Sequence, residues 1–160
     1  VEAVDDLVIR KWGGRLFHAG RDSMPSIPEA TETALFTCAA GLAAITGLPI
    51  AWPNVNFTAP ASGRYLRVDH LPNTTRRPFI NDAEHIRPGI LQVMVVVKKA
   101  EGKTIATRYA GQVVDHFPTD SKMVLDGITV RITKEPDIAP PLPNDTSFMI
   151  PVSVSYETRA

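Results

Sequence analysis

The stretch Gly89-Ile90-Leu91-Gln92-Val93-Met94-Val95-Val96-Val97 decides the fold. Its side chains are apolar or β-branched at odd and even positions alike, which predicts a strand buried on both sides. Gly89 releases the chain into this strand, Lys98 and Lys99 return it to water, and Glu101-Gly102 turns it.

Downstream, the spacing changes to that of a helix. Ile105, Tyr109, Val113 and Phe117 fall on one stripe, widened by Ala106, Ala110 and Val114, so a helix is expected over Lys103 to Phe117. Pro118 stops it. Asp126-Gly127 then stands between Met123-Val124-Leu125 and Ile128-Thr129-Val130-Arg131-Ile132, the strongest hairpin signal in the chain. Pro136 to Asn144 reads as a proline-rich loop. A last strand is expected from Ser147 to Tyr156, with Val152, Val154 and Tyr156 alternating with Ser153, Ser155 and Glu157.

Upstream, two strands are expected at about Pro49–Trp52 and Tyr65–Leu71, followed by an irregular segment from Pro72 to Pro88. Proline cannot donate to a sheet ladder, so Pro53 ends the first of these strands or holds it at an edge. Trp52 and Phe57 bring apolar area to the turn between them. Before this comes a helix with clear start and stop signals. Ser26 and Glu29 form a capping box, Pro28 lies in the first turn, and Gly47 suits a left-handed cap. Leu35, Cys38, Leu42 and Ile45 form its expected core stripe, with Ala34 beside it.

Residues 1–25 read as an N-terminal arm. It opens with an amphipathic stretch (Val4, Leu7, Val8, Ile9), carries one strand around Arg15 to His18, and passes through Gly13-Gly14 and the turn Gly20-Arg21-Asp22-Ser23. The sum is one α+β domain over 26–160 plus this arm: a mostly antiparallel mixed sheet with two helices packed on it.

Composition narrows the functional classes. A chain of 160 residues can bury a sizeable core without staples. Lys+Arg and Asp+Glu both number 17, so nothing in the net charge favours nucleic acid or an anionic membrane. No apolar run approaches the length needed to span a bilayer, and the acidic start Val1-Glu2-Ala3-Val4-Asp5-Asp6 lacks the apolar core of a secretion signal. Because Val1 is not Met, residue 1 is a processed start or a truncation point. Cys38, the single cysteine, cannot make an internal disulfide, so the protein is expected to be made and folded in a reducing cytoplasm. On its helix stripe it reads as a small core residue.

Signs of chemistry are sparse. His18, His70, His85 and His116 lie in different elements, without the local spacing of a metal site, and no metal or cofactor is expected. There is no phosphate-cradling glycine loop and no Gly-x-Ser-x-Gly elbow. Arg76-Arg77 and Lys98-Lys99 are short basic pairs, without a basic stripe or interleaved aromatics. The chain does not read as an enzyme.

The order of motifs carries the functional reading. An Ala/Leu helix is followed by Pro49-Ile50-Ala51-Trp52-Pro53-Asn54-Val55-Asn56-Phe57, then by Tyr65-Leu66-Arg67-Val68. Next come the Gly89–Val97 strand, a Gly-led helix ending in Asp115-His116-Phe117-Pro118, and Ile150-Pro151-Val152-Ser153-Val154-Ser155-Tyr156. This resembles the tail terminator (tail completion) proteins of long-tailed bacteriophages and phage-derived gene-transfer particles, over Ser26 to Tyr156. The resemblance implies a hexameric ring that caps the head-proximal end of the tail tube, halts polymerisation and joins the tail to the head connector. It implies the tail tube protein and a connector or stopper protein as partners, with DNA passing through the ring without specific binding and no membrane. Alternatives are another neck component, a head-closure or stopper protein, and a small-ligand-binding α+β domain. Docking is expected on two loops. The first, Asn73 to Arg87, carries Arg76, Arg77, Asp82, Glu84 and Arg87. The second, Pro136 to Asn144, carries Pro140, Pro141 and Pro143, whose stiffness limits the entropy lost on docking.

Overall fold

The structure is a computed structural model that describes the backbone of residues 8–12 and 15–19, and residues 24–80 and 83–160 in full. It is α+β. Strands β3 (Ile50–Ala51), β4 (Tyr65–Pro72), β5 (Ile86–Lys98), β10 (Ser147–Arg159), β7 (Ile128–Ile132) and β6 (Lys122–Leu125) lie side by side in that order. Among the described strands, only the β3–β4 pair is parallel. β1 (Val8–Trp12) and β2 (Arg15–Ala19) form a separate two-stranded sheet, so the strand expected around Arg15 has a partner strand before it. Val4 and Leu7 lie outside the described residues.

The sheet is organised by its two longest strands. β5 and β10 pair over thirteen positions, from Ser147 opposite Lys98 to Arg159 opposite Ile86. Val93 to Val97 are buried without interruption, as the absence of any polar alternation requires. β5 starts at Ile86 rather than at Gly89, because Gly89 pairs with Tyr156 inside the ladder.

β10 has a second edge, and three strands cover it in turn. β9 (Leu142–Pro143) pairs at Phe148–Met149, β8 (Asp137–Ile138) at Val152–Ser153, and β7 at Tyr156–Arg159. The segment expected to be a proline-rich loop is thus a strap along the sheet. Its backbone stays in register through Ala139 N–H to the Pro151 carbonyl and Asn144 N–H to the Ser147 carbonyl, both 2.9 Å.

The helices α1 (Ile27–Ala40) and α3 (Lys103–His116) pack on one face. They enclose Leu66, Val68, Leu91, Val93, Val95, Val97, Val130, Ile132, Val152 and Val154 against Leu35, Ala39, Ala106, Ala110 and Val113. The capping box forms as expected: the Ser26 hydroxyl accepts from the Glu29 N–H and the Glu29 carboxylate from the Ser26 N–H.

The first helix is shorter than its pattern. It ends at Ala40, and a single turn, α2 (Leu42–Thr46), follows Gly41. The break has a cause. Nε2 of His116, at the end of α3, donates to the Cys38 carbonyl at 2.7 Å, and Gly41 N–H turns to the same oxygen at 3.2 Å. That carbonyl is thereby committed to groups other than the next turn of the helix. A Cβ at Gly41 would lie 3.1 Å from the His116 ring, so the small residue permits the approach. After the break Leu42 is fully buried, whereas Ile45, expected on the core stripe, is 48% exposed. The Asp126-Gly127 turn joins β6 and β7 with both residues at positive φ, as a tight hairpin demands.

Candidate docking surfaces

The β4–β5 loop begins where the regular ladder ends at Pro72 opposite Gly89. Arg76 extends it: its N–H and carbonyl exchange 2.8 Å bonds with those of Ile86. The Arg77 guanidinium donates to the Ile80 carbonyl, bracing the tip. The base is tied to Ala160, which exchanges backbone bonds with His85 at 3.0 and 3.3 Å. Every residue from Leu71 to Ile80 is exposed.

Of the expected contact residues, Arg76 and Arg77 are exposed on this loop, and Glu84 is half-buried at its base. Arg87 is not on the loop. It belongs to β5, where Nη1 donates to the Ala160 carbonyl at 3.0 Å. Asp82 lies outside the described residues. Phe79 and Ile80, which charge-based reading passed over, are 68% and 88% exposed at the loop tip. The available signal was an adjacent apolar pair set between Arg76-Arg77 and the acids Asp82 and Glu84.

Pro140 and Pro143 are exposed on the strap, and Pro141 is half-buried. Pro143 lies in β9, opposite Phe148. The two candidate segments therefore do not converge. The β4–β5 loop leaves the sheet at the Ile86/Arg159 end of the β5–β10 ladder, and Pro140–Pro143 lies near its Lys98/Ser147 end. Thirteen paired residues separate those ends by roughly 40 Å.

A third surface lies beside the sheet edge at β3. Trp52 packs on Phe36 of α1 with ring centroids 5.4 Å apart, and Phe57 packs on Tyr65 at 5.0 Å. Between α1 and the turn after β3 is an open, mostly apolar groove of about 440 Å³, lined by Phe36, Thr37, Ala40, Trp52, Pro53 and Val55.

The polar cluster nearest to a chemical site is Glu32–His70–Tyr156. The Tyr156 hydroxyl and His70 Nε2 are 2.5 Å apart, and His70 Nδ1 is 3.4 Å from the Glu32 carboxylate. Burial pushes the Tyr156 phenol up to about 12, and the Glu32 charge adds to this. A phenol so held stays protonated and donates; it is a structural hydrogen bond rather than a poised nucleophile. Burial also pushes the Cys38 thiol up, away from reactivity, in keeping with its half-buried place against the core. Among the described residues no three His, Cys, Asp or Glu side chains are grouped to hold a metal ion, and no helix is long and apolar enough to cross a membrane.

On the sheet face away from the helices, Arg131 pairs with Glu157 at 3.2 Å and Asp120 at 3.5 Å, and Arg159 with Glu157 at 3.3 Å. At the other end of the sheet, Arg64 pairs with Glu101 at 2.9 Å.

Residues 27–156 match the family model of the phage tail terminator protein. The chain belongs to that family. This tail terminator family member is thus a structural component of a phage-type tail, working alongside other particle proteins. One solved chain, which carries no functional name, is 28% identical with a TM-score of 0.70, over 84% of this chain and 96% of its own. A chain from the virion of a native gene transfer agent (GTA) particle shares the fold at 15% identity and a TM-score of 0.56, over 84% of this chain and 98% of its own. No curated protein is significantly similar.

Proposed function

We propose that this chain forms a hexameric ring on the head-proximal end of the tail tube, where it ends polymerisation and joins the tail to the head connector, in a phage or a phage-derived gene-transfer particle. Family membership over nearly the whole body of the chain is the observation that carries this reading. The separation of the two loop systems supports it, because a cap needs one face for the tube and another for the connector. DNA crosses the ring without specific binding, in keeping with a formal net charge of zero.

A tube grows by adding identical rings, so its terminator must match the top ring and refuse the next. Particles made without this protein are expected to contain capsids and overgrown tubes that fail to join. Electron micrographs decide: tails of normal length attached to heads contradict the terminator reading, and normal-length detached tails with leaking heads favour a head-closure or stopper role.

A further inference from the structure

We draw no further inference here: the strongest candidate, the cavity of about 210 Å³ lined by Lys122, Arg131 and Arg159 on the sheet face away from the helices, carries nothing, because Glu157 and Asp120 already engage both guanidinium groups and nothing in the structure shows what else would fill it.

Discussion

Tyr156 on β10 stands opposite Gly89 on β5, and its ring occupies the space that a side chain at 89 would need. A Cβ at residue 89 would lie 2.3 Å from the Tyr156 hydroxyl oxygen and 2.6 and 2.8 Å from the nearest ring carbons. The tyrosine cannot easily swing aside, because its hydroxyl is bonded to His70 and its side chain is buried. The glycine is thus part of the binding pocket for one aromatic ring within the sheet.

Gly89→Ala is therefore expected to destabilise the fold by about 1–3 kcal/mol, the usual cost of overpacking a core. Combined with Tyr156→Leu, which removes the ring, the alanine should cost much less than it does alone. Denaturant melts of the two single variants and the double variant measure that coupling. Strictly additive losses would mean that the ring and the glycine are independent.

Tyr156 should also titrate late. Its folded-state value of about 12 lies above the ordinary phenol value near 10, so the unfolded chain loses this proton first. The stability linked to it is fully present below about pH 10 and falls as pH rises toward 12. Tyrosinate absorbance should show one of the three tyrosines ionising last, and Tyr156→Phe should remove that phase.

Leu42→Asp should prevent soluble folding. Leu42 is fully buried in the core cluster, and a carboxylate there would be cut off from water. Ile45→Asp, one turn on, should melt within about 0.5 kcal/mol of the parent because that side chain is already half in water. Soluble expression and thermal melts of the two variants check the contrast.

Arg76→Glu should leave the monomer folded, since the bridge to Ile86 uses backbone atoms alone. It should weaken subunit association, most strongly at low salt where charges are least screened. Sedimentation across a salt series reads the effect, and unchanged assembly throughout would remove this arginine from the interface.

Removing residues 1–23 should leave the melting temperature of the body nearly unchanged. β1 and β2 pair only with each other among the described strands, and the cap of α1 begins at Ser26. If the truncated chain folds but no longer assembles, the arm is a docking element; differential scanning calorimetry and sedimentation together distinguish this from a structural role.

What the sequence made legible were features fixed by neighbours along the chain. The Ser26–Glu29 box, the Asp126-Gly127 turn, the doubly buried run to Val97 and the α3 stripe all depend on contacts within a few residues. What it hid depends on distant partners. Ile45 lost its place in the core because His116, 78 residues from Cys38, takes a carbonyl from the helix. Gly89 looked like a strand start until Tyr156 lay across it. The strap was read as a loop because its two strands are two residues each, and only the β10 edge gives them register. On the candidate surface, reading charge picked out Arg76 and Arg77 and overlooked Phe79 and Ile80, whose exposure follows from the hairpin that lifts them off the body.

The covering of β10 also has a consequence for crowding. A thirteen-residue strand left open on one side would be a long template on which unrelated strands could nucleate. With β9, β8 and β7 laid along it, the main sheet ends instead at β3 and β6, of two and four residues. The two longest strands, β5 and β10, are thus both paired along each side and cannot seed runaway cross-chain stacking. Even at high local concentration, the two thirteen-residue strands then offer no open template to a second copy.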